Sequence, residues 1–294
     1  MGTGFGVREI YPPMSGQTIR RGRRPLRRVH DSWYVATAMT QDNSSALAPS
    51  AFYDAAASSY DTMTDFARRV PREAAVLQPL VGRFGIRSAA DMGCGTGVHV
   101  CALSTLDVAT TGYDVSAEML RRARVNAGAY SSARFVEGDF VTPALYNSGA
   151  VDAIFCLGNS LAHIESDGEL AHTFSHWRGA LRGGGRAIVQ LLNYERILAD
   201  RERVVAVRSD AGTTIVRFYD FTEPRLTFNI LTIDATAQPI RHTLHTTLLT
   251  PFTVSQLREA AAAAGFAAVK IFSSLALDAW DPSGRDLIAV LESA

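Results

Sequence analysis

Lysine is almost absent from this sequence, and no apolar run is long enough to cross a bilayer. Lys270 is the only lysine, whereas arginine and alanine are abundant, and this composition indicates a GC-rich genome rather than a function. The N-terminus also lacks the hydrophobic segment of a secretory signal. We therefore expect a soluble, cytoplasmic protein without a membrane partner.

The sequence also has no net charge and few cysteines. Its 29 basic residues balance 29 acidic ones, so bulk charge gives no reason to expect a nucleic-acid partner. Cys94, Cys101 and Cys156 show no CxxC spacing, which argues against a zinc site or a disulfide framework. We expect three reduced thiols and no metal.

Residues 1–45 contain "RRGRRPLRRVH" and show neither a helical nor a strand period, so they are predicted to be a disordered basic arm. The arginine cluster has no interleaved aromatic residues, which favours a solvated tail over a nucleic-acid contact. A start codon further along the chain, or a transit peptide, would also explain the arm. Residues 46–294 are predicted to form one globular domain.

Strand-like and helix-like segments alternate after an Ala-rich stretch from Ser50, which predicts one or two short helices, and an amphipathic helix over residues 72–85. Alternation at this spacing predicts βαβ units and a Rossmann-like, doubly wound α/β fold. The predicted strands are 88–92, 108–113, 133–136, 151–157 and 186–192, and the predicted helices are 97–105, 116–128 and 168–181.

Residues 203–250 break this alternation with four runs of β-branched and aromatic residues and no intervening helix. They predict an antiparallel β insertion that forms a lid. A helix over 253–266 and strands over 267–272 and 286–291 then return to the main sheet. The expected core is thus a mostly parallel, seven-stranded sheet with helices on both faces.

The segment "DMGCGTGVH" follows a predicted strand and opens a predicted helix, and it contains Gly93, Gly95 and Gly97. Glycine lets such a loop turn tightly and approach a ligand closely. A nicotinamide site would need its third glycine at Val98. Asp91 would repel a pyrophosphate but attract a cation, so the motif favours S-adenosylmethionine, which carries a sulfonium and an ammonium group and no phosphate.

Two more acids follow predicted strands. Asp114 comes nineteen residues after Gly95, the offset at which a βαβ unit places a carboxylate for ribose hydroxyls. Asp139 follows the third strand, where it could accept from an adenine amino group, with Phe140 beside the ring. Each acid alone is most simply a solvated loop carboxylate, but three at successive strand ends are not expected by chance. Further candidate cofactor contacts are Val115 and Met119.

Together these motifs resemble those of the class I S-adenosylmethionine-dependent methyltransferases, across roughly residues 50–294. The resemblance implies S-adenosylmethionine as cofactor and S-adenosylhomocysteine as product. It also implies that the ligand lies across the carboxyl ends of the strands. In that family the fourth strand ends beside the transferred methyl group, and here this strand and its loop read "VDAIFCLGNSLAHI".

The stretch "CLGNSLAH", with "NYERI" after the next strand, is similar to the glycine N-methyltransferase and glycine/sarcosine methyltransferase branch. The resemblance implies that Asn159 faces the substrate and that Leu157 packs near the methionine moiety. From its sequence position alone, Asn159 could equally be a turn residue that caps the next helix. His163 is a candidate base or positioning residue, although a packed histidine explains it as well, and an amine acceptor needs little base catalysis.

Candidate substrate contacts besides Asn159 come from five further positions. In the resembling branch an arginine before the Asn-Tyr pair binds the substrate carboxylate, but Leu192 stands at that position here, which argues against glycine. Three arginines offer an alternative anion clamp, and surface ion pairs explain them equally. The candidate contacts are Tyr53, Tyr60, Asn193, Tyr194 and Tyr219, and the three arginines are Arg196, Arg217 and Arg241.

The sequence leaves four hypotheses for function. The first is N-methylation of an amine-bearing small molecule, which the Asn159 loop favours. The second is O-methylation of a hydroxyl, carboxylate or phosphonate in specialised metabolism, which would give His163 the role of a base. The third is nucleic-acid methylation, but the sequence lacks the Asn/Asp-Pro-Pro-Tyr/Phe pattern of DNA methyltransferases that act on amino groups. The fourth is a non-catalytic protein that binds S-adenosylmethionine, and the complete motif set argues against it. A homodimer is compatible with each of them.

Overall fold

A computed structural model describes residues 46–130, 132–140 and 151–294, without the side chains of residues 58–64 and 129. The predicted basic arm therefore lies outside the described residues, as does the side chain of Tyr60. None of the described helices is both long and apolar enough to cross a membrane.

Seven helices and eleven strands follow one another in the described chain. The helices are α1 (Pro49–Thr64), α2 (Phe66–Phe84), α3 (Val98–Ser104), α4 (Ala117–Asn126), α5 (Asp167–Ala180), α6 (Tyr194–Asp200) and α7 (Val254–Ala263). The strands are β1 (Ser88–Met92), β2 (Ala109–Asp114), β3 (Ala133–Glu137), β4 (Val151–Cys156), β5 (Leu181–Leu192), β6 (Val204–Asp210), β7 (Thr213–Phe221), β8 (Leu226–Asp234), β9 (Arg241–Leu249), β10 (Ala268–Phe272) and β11 (Asp286–Glu292).

The main sheet has seven strands in the order β10-β11-β5-β4-β1-β2-β3. Strands β1 to β5 are parallel, whereas β11 runs antiparallel to both β5 and β10. The strand order reverses between β1 and β4, which is where open α/β sheets bind their ligands. The predicted mostly parallel, seven-stranded sheet is confirmed.

Helices cover both faces of this sheet. One face packs on α5 and α7, with Phe174, Trp177 and Leu257 buried. The other face packs on α2 and α3, with Leu77 and Leu103 buried. Burial on both faces explains why the central strands are nearly continuous apolar runs rather than alternating ones.

A second sheet follows β5 and α6, with four antiparallel strands in the order β6-β7-β8-β9. Alternate residues of these strands face opposite sides. On one side, Ile215 and Ile230 pack against Phe52 of α1, and the backbone N–H of Leu47 donates to the carbonyl of Thr246 on β9. The predicted antiparallel insertion over residues 203–250 is therefore present, and its role as a lid stays a prediction.

Two element boundaries differ from the prediction by five residues or more, and one helix was not predicted. Helix α2 begins at Phe66, before the predicted residue 72, because Asp65 takes a left-handed φ of 55° and separates it from α1. Strand β5 begins at Leu181 rather than at 186, with a register shift against β4. Helix α6 was not predicted, although Asn193 caps it through a bond from the Arg196 N–H, 3.3 Å long.

Candidate functional site

A cavity of about 930 Å³ lies at the carboxyl ends of the central parallel strands. This volume falls in the range of small-molecule sites. We call one part the glycine-loop half, lined by residues 93–96, Asp114, Val115 and residues 138–140, and the other the tyrosine half, lined by Tyr53, His163, Leu192, Tyr219 and Phe228. Gly158 and Asn159 also line the cavity, after β4.

The loop after β1 can only be made with glycine at two positions. Gly93 and Gly97 take φ values of +73° and +87°, which side chains rarely adopt. A Cβ on Gly93 would lie 2.7 Å from the Cβ of Ser160, and one on Gly97 would lie 2.9 Å from the Phe135 ring. The N–H groups of Gly93 and Cys94 both donate to the carbonyl of Tyr113, so the loop is tied to the end of β2.

Asp91 is buried at the end of β1, beneath this loop. Only 1% of its surface is exposed, and neither carboxylate oxygen has a hydrogen-bond partner among the described residues. Burial, with the nearby Asp114 carboxylate as a second cause, raises the pKa of Asp91 to about 7. A buried acid without partners fits a cationic ligand group that the chain itself does not supply.

Asp114 ends β2 and is held by backbone donors. Its Oδ2 accepts from the Gly95 N–H at 2.8 Å, and its Oδ1 accepts from the Ser116 N–H at 2.9 Å. Burial raises the pKa of this carboxyl, and these bonds oppose the rise. These two hydrogen bonds from the backbone fix the orientation of the carboxylate. A fixed orientation is what a carboxylate needs in order to accept hydrogen bonds from the hydroxyls of a ligand.

The other predicted cofactor contacts fall in two groups. Val115, Asp139, Phe140 and Leu157 line the cavity, and Phe140 stands edge-to-face with Trp177, with ring centroids 6.3 Å apart. Met119 is instead fully buried in α4, where its N–H donates to Ser116 Oγ. The structure therefore brings most of these residues to one wall and leaves Met119 in the core.

Asn159 follows β4 with a left-handed φ of 75°, and it begins a short 3-10 helix over Ser160–His163. Its Oδ1 accepts from the Leu192 N–H at 3.0 Å, and its Nδ2 donates to the Tyr194 hydroxyl at 2.7 Å. Both ends of the amide are thus occupied by the end of β5 and the start of α6. The Asn159 side chain thus holds the ends of β4 and β5 together, and Asn159 also lines the cavity.

Tyr194 and Tyr219 extend this network. Both are buried, and the Tyr194 hydroxyl is hydrogen-bonded to that of Tyr219 on β7. Burial raises the pKa of Tyr219 to about 12, so the phenol is protonated at neutral pH. A continuous chain of hydrogen bonds therefore joins Asn159, at the end of β4, to the antiparallel sheet.

His163 lies in the tyrosine half beside α1. Its Nε2 is 3.0 Å from the Tyr53 hydroxyl, and its Nδ1 has no partner among the described residues. Burial, with the Arg225 charge as a second cause, lowers the pKa of His163 to about 4. The imidazole is therefore neutral at physiological pH.

Some candidate substrate residues have other contacts. The Asn193 side chain is fully buried, donates to the carbonyls of Pro282 and Gly284, and caps α6. Arg196 pairs with Asp200 and Glu202. The prediction that Asn193 contacts substrate gains no support from this geometry.

Sequence reasoning missed several residues that line the cavity. Arg69 and Glu73 of α2 line it together with His99 of α3, and Arg69 Nε lies 3.2 Å from Glu73 Oε1. Arg285 and Asp286 line it from the start of β11. The spacing of four residues between Arg69 and Glu73 could have predicted an ion pair on one face of a helix. No short segment of the sequence predicts that Arg285 lies near β5.

A known family covers the strands and the loop that build this site. Residues 89–185 match the family described as "Methyltransferase domain". The loop after β1 and strands β2 to β4 lie within this part of the chain. This part of the chain carries a methyltransferase domain, and its motifs resemble those of the class I S-adenosylmethionine-dependent family. The whole fold is similar to that of an S-adenosylmethionine-dependent methyltransferase from Clostridium acetobutylicum ATCC 824, with a TM-score of 0.68 and 14% identity, covering 82% of this chain and 99% of that chain.

Two curated relatives of this chain are N-methyltransferases by name. It is 30% identical over 141 residues to the glycine/sarcosine/dimethylglycine N-methyltransferase of Actinopolyspora halophila, covering 47% of this chain and 25% of that protein. It is 29% identical over 161 residues to the glycine/sarcosine N-methyltransferase of Parasynechococcus marenigrum (strain WH8102), covering 52% and 54%. The match thus spans about a quarter of the first relative and about half of the second.

Proposed function

We propose that this chain is an S-adenosylmethionine-dependent methyltransferase that transfers a methyl group to the nitrogen of a small, amine-bearing metabolite. Support comes from the cavity, in which the glycine-loop half continues into a half lined by the aromatic residues Tyr53, Tyr219 and Phe228. Further support comes from the relatives in Actinopolyspora and Parasynechococcus, which are N-methyltransferases by name.

The residues of the glycine-loop half fit this cofactor. Asp91, a buried carboxylate without a partner, would stabilise the positive charge of the amino-acid moiety. Asp114 would accept the ribose hydroxyls, and Asp139 and Phe140 would contact the adenine. When bound, S-adenosylmethionine supplies an electrophilic methyl group on a sulfonium, whose bonding electron pair remains with the sulfur.

The chain's own part in the reaction is to position and desolvate. The amine nitrogen of the acceptor forms the new N–C bond with its lone pair, and the resulting ammonium then loses its proton to water. Asn159, held at 3.0 Å from the Leu192 N–H, fixes the end of β4 at the junction of the two halves. When the acceptor nitrogen and the methyl group are held in line and water is excluded, the rate rises by about several powers of ten.

The burial of His163, which disfavours a charged imidazole, is the feature that most favours nitrogen over oxygen. A base whose pKa is about 4 is a weak acceptor for the proton of a hydroxyl, which an O-methyltransferase has to remove. An uncharged amine needs no such base.

One contact favours the second candidate, O-methylation. The Tyr53 hydroxyl and His163 Nε2 are 3.0 Å apart, and such a pair can relay a proton from an acceptor hydroxyl. If His163 worked this way, its replacement would remove a titration from the pH profile.

The experiment that separates the two is turnover against pH for wild type and His163→Ala, with His242→Ala on the exposed part of β9 as a matched control. We expect His163→Ala to leave the apparent pKa of kcat/KM unchanged between about pH 6 and 9, because His163 is neutral throughout. A lost or shifted ionisation in His163→Ala alone would favour O-methylation.

A further inference from the structure

Arginines from three segments line the same cavity as Tyr219. Arg217 and Tyr219 are two residues apart on β7, so they share a face of the strand, and both line the cavity. Arg208 of β6 lies opposite Ile215, and Arg217 lies opposite Ala206, which places both arginines on that same face. Arg285, just before β11, is the third.

Two of these arginines act electrostatically on the same hydroxyl. Arg217 and Arg285 each lower the pKa of Tyr219, although burial, the largest cause, still raises it to about 12. The Tyr194 oxygen accepts from Asn159 Nδ2, which leaves the Tyr194 hydrogen for the bond to Tyr219 and the Tyr219 hydrogen for a ligand. Two cations and one neutral donor therefore converge at one end of the cavity.

Two other arginines of the same region pair with carboxylates. Arg196 pairs with Asp200 and Glu202, and Arg203 pairs with Asp220. The Arg285 guanidinium, in contrast, makes no hydrogen bond or ion pair within the described part of the chain. A cavity that collects cations in this way is complementary to an anion.

We propose that the methyl acceptor carries an oxyanion, a carboxylate or a phosphate, and that Arg217, Arg285 and the Tyr219 hydroxyl bind it. This inference rests on the proposed N-methyltransferase function and names its substrate class. Arginine suits the role because its planar fork gives two parallel bonds to an oxyanion. Tyr219 is linked by hydrogen bonds through Tyr194 to Asn159, which follows β4. An anion bound to Tyr219 would therefore hold the amine of the same acceptor at a fixed distance from the end of β4.

The variants that test this are Arg217→Gln and Arg285→Gln, with Arg258→Gln on the exposed side of α7 as a matched control. Acetate and inorganic phosphate are titrated by calorimetry into each protein saturated with S-adenosylhomocysteine. We expect at least one of the two anions to bind to wild type and to the control, and to bind about tenfold or more weakly to both cavity variants. Comparison of the two anions tells a carboxylate acceptor from a phosphate acceptor.

Unchanged affinity for S-adenosylhomocysteine shows that the variants are folded. No binding of either anion to wild type, or equal binding in all four proteins, would overturn the proposal. A second readout is turnover of glycine and O-phosphoethanolamine against ethanolamine, and a preference for ethanolamine would also overturn it. If the anions bind through the two arginines but the methyl group goes to oxygen, the inference stands and the proposed N-methylation fails.

Discussion

The two halves of the cavity are built in different ways. The glycine-loop half consists of backbone turns with Asp114 at the end of β2 and Asp139 after β3, and Asp91 is buried beneath it at the end of β1, all within about fifty residues of chain. The tyrosine half is made from α1, the loop after β4, the antiparallel sheet and the start of β11, which are separated by up to 230 residues. The local construction of the glycine-loop half suits a cofactor that stays the same. The tyrosine half is built from distant segments that can change separately, which suits an acceptor that can differ.

The difference also appears in the hydrogen bonds. Asp114 is oriented by main-chain N–H groups, which any sequence with that backbone would supply. Asn159, Tyr194 and Tyr219 are oriented by one another's side chains. Side-chain changes should therefore alter acceptor use more than cofactor affinity, except where the backbone itself or Asp91 is changed.

The largest expected effect is that of Gly93→Ala. The new Cβ would be 2.7 Å from the Cβ of Ser160, and the residue would keep a φ of +73°. Strain of about 2–3 kcal/mol predicts roughly 30- to 100-fold weaker binding of S-adenosylmethionine, measured by calorimetry. Gly82→Ala in α2, where a Cβ meets nothing within 4 Å, is the control and should bind normally. Normal binding by Gly93→Ala would show that the loop does not approach the cofactor.

Asp91→Asn should weaken cofactor binding about 10- to 100-fold at pH 8, since it removes the charge that faces the cation. In wild type, affinity should rise as the pH increases toward 7, where Asp91 ionises, and this dependence should be lost in the variant. Calorimetry from pH 5.5 to 8.5 measures both. Asp107→Asn, in the exposed turn before β2, should keep the wild-type profile.

The same substitution should have the opposite effect on the stability of the ligand-free chain. The folded pKa of Asp91 is raised from 3.8 to about 7, so its contribution to stability is full below about pH 4 and is lost as the pH rises through 7. A neutral Asn avoids that loss. Thermal unfolding at pH 8 should therefore give Asp91→Asn a Tm at least equal to that of wild type, and a clearly lower Tm would contradict the assigned burial cost.

Asn159→Ala tests the tyrosine half. It removes the bond from the Leu192 N–H and the bond to the Tyr194 hydroxyl. A loss of about 1–2 kcal/mol predicts a roughly tenfold fall in kcat/KM for the acceptor, with the dissociation constant of S-adenosylmethionine nearly unchanged. Tyr194→Phe should act in the same direction. If cofactor affinity falls as much as turnover, the two halves are not separable.

The smallest effect is expected from Asp54→Ala. This substitution tests helix α1, which contacts both halves of the cavity. Asp54 Oδ1 accepts from Ser116 Oγ at 2.5 Å beside the glycine-loop half, and the preceding Tyr53 contacts His163 in the tyrosine half. Loss of about 1 kcal/mol should change cofactor affinity and acceptor KM together, each about fivefold or less. A change in only one of them would show that α1 serves a single half.

The glycine-loop half could be predicted from the sequence because its signals are local. Gly93, Asp91 and Asp114 lie at fixed offsets from strands whose apolar runs are easy to recognise. The paired contacts of the tyrosine half are not encoded in any short segment. Arg285 reaches the cavity only because β11 pairs with β5, and Tyr219 only because β7 folds back toward α6.

Some sequence predictions keep that status. Cytoplasmic location, the absence of a nucleic-acid partner and a homodimer all stay predictions. The roles of the individual site residues are proposals that the variants above address. Leu192 lines the cavity with an apolar side chain, which agrees with the expectation that an anion, if bound, is held elsewhere.

The most direct test of the central claim is methyl transfer from S-adenosylmethionine labelled in its methyl group to a panel of amines, amino acids, hydroxy acids and phosphorylated amines. The labelled product is then located by mass spectrometry and NMR. The account predicts a label on the nitrogen of an amine that also bears a carboxylate or phosphate. A label on oxygen, or no detectable binding of S-adenosylmethionine, would contradict it.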